Sequence, residues 1–229
     1  MRLFIFLLAV LAGSAVAHAD NQRFIEVEAA GWIEAVPDEL LLSVSVQYTG
    51  QDAAEVSARA EKTSAQIVAV ARKFGIADDD IDSSRLSQRP EYEWRSNSRH
   101  YLGETVQRDI QLKVRNLDGY GRLIQQLTKL DLHQIRPPSL GHSKLEELQL
   151  AALENALVRG KRKAQTIANQ VAGKLGPVIH VQELGSRNVG PRPRMMAAEA
   201  MSSDAGGAPV FSFGKQRINA QVLVRYGLQ

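Results

Sequence analysis

Apolar and polar residues along this chain switch repeatedly between a period of two and a period of three to four, the mark of strands interleaved with helices. Phe24 to Ala29 alternates and predicts a half-buried strand, interrupted at Gly31. Val36-Pro37-Asp38 predicts a turn, because proline fixes its own φ and aspartate caps nearby N–H groups. Leu40 to Tyr48 predicts a second strand, with Leu42, Val44, Val46 and Tyr48 on one face and Ser43, Ser45 and Gln47 on the other. Thr49-Gly50-Gln51-Asp52 reads as a capping box with Thr49 at the N-cap. The helix after it lines up Ala53, Val56, Ala60, Thr63, Ile67, Val70 and Phe74, and Gly75 ends it.

Ile81 to Trp94 starts acidic and becomes strand-like. Arg99 to Arg115 predicts a strand with Val106, Ile110, Leu112 and Val114 inward. Asp118 to Leu130 predicts a short helix on Leu123, Ile124, Leu127 and Leu130. Ile135 and Leu140 flank Pro137-Pro138, which suits an edge strand. Ser143 to Leu175 predicts the longest helix, with Leu145, Leu148, Ala152, Ala156, Gly160, Ala164, Ile167, Val171 and Leu175 inward. That line is mostly small, so a sheet or helix can approach closely. Gly176-Pro177 stops it, and Val178 to Leu184 follows as a strand. Gln216 to Tyr226 predicts the last strand, with Ile218, Ala220, Val222, Val224 and Tyr226 on one face. Residues 185–210 are rich in Gly, Pro, Ser, Met and Ala without periodicity and read as a long surface loop. The order β-β-α-β-β-α-β-α-β-β predicts an α+β protein: largely antiparallel sheet(s) with about three helices packed on one side.

The first segment sets the expected compartment. Arg2 precedes the apolar run Leu3 to Leu11, and Ala17-His18-Ala19 supplies the small-residue pattern that signal peptidase cuts after. The expected cut lies between Ala19 and Asp20, making residues 1–19 a Sec-type signal peptide and 20–229 the mature domain. The apolar run is short of the roughly 20 residues that span a bilayer. Cleavage takes 19 of 229 residues, leaving 210, and removes Arg2 with no acid, so the net charge falls from +3 to +2. That balance is not the footprint of a nucleic-acid binder. The chain has no Cys, which excludes disulfides, thiol chemistry and Cys-based metal sites. A soluble periplasmic protein, stabilised by packing alone, is the expectation.

Four landmarks stand in register: Gly31 with Val36-Pro37-Asp38; Phe74-Gly75-Ile76 with Asp80-Ile81, Leu86, Pro90 and Tyr92; Ala151-Ala152 to Ala168 with Leu175-Gly176-Pro177-Val178; and Gly214 with Ile218 to Val224. Together they resemble the SIMPL domain family of bacterial envelope proteins. Trp32 and Phe213-Gly214-Lys215 depart from the family's usual residues. The resemblance implies an α+β envelope protein linked to stress tolerance or to oligomeric surface antigens, with no catalytic residues to carry over. A homo-oligomer is expected, since self-association would hide exposed sheet edges.

Motifs for chemistry are sparse. There is no G-x-S-x-G, H-E-x-x-H, Walker loop or G-x-G-x-x-G, and no cofactor is implied. His100, His133, His142 and His180 are too far apart in sequence to form a helical ligand pair. Asp78, Asp80 and Asp82 match the first three ligand positions of an EF-hand loop, but Ser83 and Arg89 stand where Gly and Glu are needed, so a solvated turn is expected. Arg159, Lys161, Arg162 and Lys163 form a basic run, read as a solvated face or as a weak dock for anionic headgroups or cell-wall polymer. Glu91, Tyr92, Trp94 and Tyr101 form an aromatic patch, read as strand-edge packing or as a glycan or partner surface. The expected function is a non-catalytic, self-associating envelope protein. One alternative is a periplasmic hydrolase or isomerase, for example with His100 set against a carboxylate in a cleft. Another is an oxidant- or Cu(I)-responsive element made by Met195, Met196 and Met201, because thioethers are soft ligands and oxidise reversibly.

Overall fold

The computed structural model describes residues 23–95, 97–185 and 211–229. The signal-peptide junction Ala19/Asp20, loop residues 186–210 and Met195, Met196 and Met201 therefore lie outside the described residues. The elements run β1 (Phe24–Ala35), β2 (Glu39–Gly50), α1 (Ala53–Lys73), β3 (Ile81–Arg95), β4 (Ser98–Val114), α2 (Tyr120–Leu127), β5 (Gln134–Ile135), β6 (Ser139–Gly141), α3 (Leu145–Gln170), β7 (Leu175–Glu183) and β8 (Gln216–Leu228). All strand pairings are antiparallel, as the α+β expectation requires.

The strands divide between two sheets. One has three strands in the order β1-β8-β7; the other has the order β3-β4-β2-β5, with β6 also pairing β2. Although only Val36-Pro37-Asp38 separates β1 from β2, they do not pair. β1 instead pairs β8 along its whole length, from Phe24 opposite Gly227 to Ala35 opposite Gln216. Each sheet is covered on one face by helix. Leu40, Leu42, Val44, Val46 and Tyr48 of β2 and Val106, Ile110, Leu112 and Val114 of β4 are buried with Val56, Ala60 and Ile67 of α1 and Leu123 and Leu127 of α2. Ile25, Val27 and Ala29 of β1 and Val222, Val224 and Tyr226 of β8 are buried with Ala156, Ala164 and Ala168 of α3. Phe213, just before β8, crosses to the first core and packs edge-on to Tyr120 at 5.9 Å between ring centroids.

Three local expectations are corrected. Asp52, not Thr49, is the N-cap of α1: its carboxylate accepts from the N–H groups of Ala54 and Glu55. Thr49 is still in β2, where its hydroxyl bonds that of Thr105 at 2.7 Å, so the strand's ladder outcompetes the cap. The other end of α1 is as expected: Gly75 turns left-handed at φ 77°, and the N–H groups of Gly75 and Ile76 reach back to the carbonyls of Arg72 and Ala71.

The inner line of α3 is Ala152, Ala156, Gly160, Ala164 and Ala168 at an unbroken spacing of four. Leu145, Ile167 and Val171 are instead 38%, 36% and 57% exposed, and Leu175 belongs to β7. The third correction is Gly31, which does not interrupt β1. The strand runs through it, and α3 crosses over it so closely that a Cβ at Gly31 would lie 2.2 Å from the Ala156 nitrogen and 2.3 Å from the Ala152 carbonyl oxygen. Both obstacles are helix backbone, which cannot turn aside as a side chain can. Replacing Gly31 by Ala is expected to cost about 3 kcal/mol or more, lowering the melting temperature by roughly 6–12 °C. Gly214→Ala, where a Cβ meets nothing within 4 Å, is the control expected to melt like the parent. Thermal unfolding followed by circular dichroism compares them; equal melting of the two variants would rule out the close crossing.

Candidate functional site

Polar groups tie the chain together at the corner where it passes between the sheets. The chain leaves the first sheet through buried Pro37 and exposed Asp38, and returns from β6 to α3 through Gly141, His142 and Ser143. The two passages are tied together. The Asp38 N–H donates to the Gly141 carbonyl at 3.3 Å. The Asp38 carboxylate accepts from the Ser143 N–H at 2.7 Å and from its hydroxyl at 2.5 Å. These two bonds hold the Asp38 carboxyl below its ordinary 3.8. His142, between them, is buried.

Beside this corner lies a cavity of about 210 Å³ lined by Phe74, Gly75, Ile76, Asp80, Lys113, Val114, Arg115 and Asn116. Arg115 grips Asp80 with two parallel bonds of 2.8 and 2.9 Å and reaches Glu39 at 3.1 Å. Lys113 meets the other oxygen of Glu39 at 3.2 Å. The bond from Arg115 also holds Asp80 below 3.8. Both carboxylates and both cations of this group are thus committed to one another. The arrangement positions chain segments.

The acidic cluster read from sequence is dispersed. Asp78 bonds Arg72 at 2.7 Å, Asp80 bonds Arg115, and Asp82 accepts from the Ser84 N–H and hydroxyl. Among the described residues there is no group of three or more His, Asp or Glu that could hold a metal. His100 lies exposed on β4 and bonds the Ser98 hydroxyl at 2.9 Å. Within the basic run, Arg159 stacks over Trp32 at 3.6 Å, with Arg217 at 5.1 Å from the same ring, and Lys163 donates to the Glu28 carbonyl. Two members of the run thus hold α3 against β1.

The aromatic patch is brought together. β2 stops pairing β4 at Gly50 opposite Glu104, while β3 and β4 continue as a two-stranded arm to Arg95 opposite Ser98. Gly103, at φ 136°, lets the arm leave the sheet: a Cβ there would lie 2.1 Å from the Gly50 carbonyl oxygen. On the arm, Tyr92 and Tyr101 are opposite each other with ring centroids 5.6 Å apart, and Arg99 lies 3.4 Å over the Tyr92 ring. Trp94 is on the same face and 72% exposed. Sequence reading missed the Asp38–Ser143 tie and the Glu39–Arg115–Asp80 group. The signal available for the first was Pro37-Asp38 at a turn too short and polar to be core.

The fold and site define a two-sheet α+β protein whose polar groups join segments of the chain. Its family can be stated: residues 25–226 match the SIMPL family, described as a protein of unknown function (DUF541), and the chain belongs to it. It is 30% identical over 169 residues to the uncharacterized protein YggE of Escherichia coli K12, covering 73% of this chain and 69% of that one. YggE of Edwardsiella ictaluri is 28% identical over 181 residues, covering 78% and 76%. The 26 kDa periplasmic immunogenic protein of Brucella melitensis is 24% identical over 174 residues, covering 74% and 69%. Among the described residues, no helix is long and apolar enough to cross a membrane.

The sign of the Asp38 shift sets a test. A carboxyl lowered by folding contributes stability that is complete above 3.8 and is lost as pH falls through its folded value. Asp38→Ala is expected to cost about 1–2 kcal/mol at pH 7. Urea unfolding of both proteins at pH 7 and near pH 2 measures the gap, which is expected to narrow in acid. A gap that stays constant would mean the Asp38 charge has no part in the tie.

Proposed function

We propose that this chain is exported to the periplasm, loses residues 1–19 between Ala19 and Asp20, and acts there as a non-catalytic, self-associating protein of the cell envelope, linked to stress tolerance. The leader pattern and the periplasmic name of the Brucella relative support the location. The commitment of Glu39, Asp80, Lys113 and Arg115 to one another favours a role in joining chain segments.

The observation that carries self-association is the arm. Two strands with no third neighbour are marginal in water. This pair nevertheless exposes Tyr92, Trp94, Tyr101 and Leu102, at 37%, 72%, 50% and 40%. An exposed aromatic face of this kind is stabilised when a partner covers it. Light scattering of the protein recovered from the periplasm is expected to give a mass at least twice that of the mature chain, and N-terminal sequencing is expected to begin at Asp20. A monomer at micromolar concentration would overturn self-association; an uncleaved N-terminus would overturn the export reading.

A further inference from the structure

Natural sheets protect their open edges with proline, charge, bulges or very short strands. The edges of this molecule are protected unequally. On the five-stranded sheet, β5 and β6 have two and three residues and are separated by Pro137-Pro138. The opposite edge, β3, carries Pro90 together with Arg85, Arg89, Glu91, Glu93 and Arg95. On the three-stranded sheet, β1 carries Glu26, Glu28 and Glu34, each bonded across to Arg225, Gln221 and Arg217 of β8. β7 is different. Its first half is interrupted by Pro177 and by register shifts on either side of Val178, but from His180 to Glu183 its ladder with β8 is regular. Apart from His180 and the terminal Glu183, β7 carries no ionisable side chain, and Val178, Ile179 and Val181 are 53%, 46% and 50% exposed.

The position of α3 explains this exposure. The helix lies over β1 and β8: its Gly160 faces Val27, Ala29 and Val224. β7 extends the sheet beyond the helix. Val178 and Val181 pair with Tyr226 and Val224, whose side chains are buried toward α3, so they stand on the helix side of the sheet with no cover among the described residues. Ile167 and Val171, at the end of α3 that leads into β7, are exposed as well.

We propose that β7 is a self-association edge: it pairs antiparallel with β7 of a second copy across a two-fold axis, joining two three-stranded sheets into one of six strands. This specifies an interface for the self-association proposed above and rests on that reading. The charges select a second copy and the direction. β7 is preceded by Lys174 and ends at Glu183, so antiparallel pairing brings unlike ends together, whereas parallel addition would place Glu183 beside Glu183. A two-fold axis normal to the sheet also keeps both α3 helices on one side, flanking the four uncovered Val178 and Val181 side chains.

The absence of cysteine from the chain provides the test. Single cysteines at Ile179, Val181 and Gln182 are placed in the mature protein, with Gln125→Cys on α2 as a control. At least one β7 variant is expected to give a disulfide-linked dimer under mild oxidation, because antiparallel neighbours place Cβ atoms about 4.5–5.5 Å apart. The Gln125 variant is expected to stay uncrosslinked. Val181→Lys, at a half-exposed site, is expected to keep the parent circular dichroism spectrum and to raise the dimer dissociation constant at least about tenfold through like-charge opposition. A parent that assembles while no β7 cysteine crosslinks and Val181→Lys assembles normally would overturn this interface and leave self-association standing. A parent that is monomeric would overturn both. Loss of assembly in a Val181→Lys variant whose spectrum has also changed would leave the decision to the cysteine variants.

Discussion

The close crossing of α3 over β1 governs the smaller sheet and much that follows from it. A helix that buries Ala152, Ala156, Gly160, Ala164 and Ala168 presents little side-chain area to its sheet. It gains stability by bringing backbone near backbone, where many weak contacts accumulate. That closeness fixes what may stand beneath it, and at Gly31 no side chain fits at all. It also fixes where the helix sits. The glycine is in an edge strand, so the helix is drawn toward β1 and β8 and away from β7. Apolar residues on β7 then have no cover among the described residues. Trp32, next to the crossing, closes its rim by stacking with Arg159 from the helix and Arg217 from β8. Part of a basic run that looks solvated in sequence is therefore structural.

The larger sheet depends on a different device. Its core is built from full-sized side chains on β2, β4, α1 and α2, and it needs no close backbone crossing. What it needs is a fixed junction with the smaller sheet, because the chain passes between the two at residues 36–38 and again at 141–145. Asp38 joins both passages through backbone and carboxylate together. Glu39, the next residue, begins β2 and accepts from Arg115 and Lys113 at the end of β4. Two consecutive acids thus serve opposite sides of the junction, one toward α3 and one toward β4.

The faces of the strands were legible because alternation is a local property. Leu42, Val44, Val46 and Tyr48 and the inward residues of Ile218 to Tyr226 are buried in the pattern their sequence shows, although Ser45 on the polar face of β2 is buried as well. Helix ends with a dedicated residue, such as Gly75, were legible for the same reason. Sheet membership was not. β1 and β2 have the same half-buried pattern and a short turn between them, which resembles a hairpin, while the true partner of Phe24 is Gly227 at the far end of the chain. No local signal carries that pairing. The line of α3 was misread at its end because apolarity favours Ile167 and Val171, whereas a helix already committed to close approach continues with Ala168.

The candidate site was legible in its parts and not in its assembly. Asp78, Asp80 and Asp82 suggested a shared ligand by their spacing, but Asp78–Asp80 form a single 3-10 turn, whose side chains point about 120° apart from one residue to the next. Asp78 and Asp80 therefore point apart, toward Arg72 and Arg115, while Asp82 already lies in β3 and accepts from Ser84 of the same strand. Spacing in sequence predicts convergence only when the backbone between the residues is known. The aromatic patch was read correctly as a group because its members share a strand pair, where alternate residues on facing strands must meet. The difference lies in the backbone: a regular two-stranded ladder preserves the order of the sequence on its surface, and a tight helical turn scatters it.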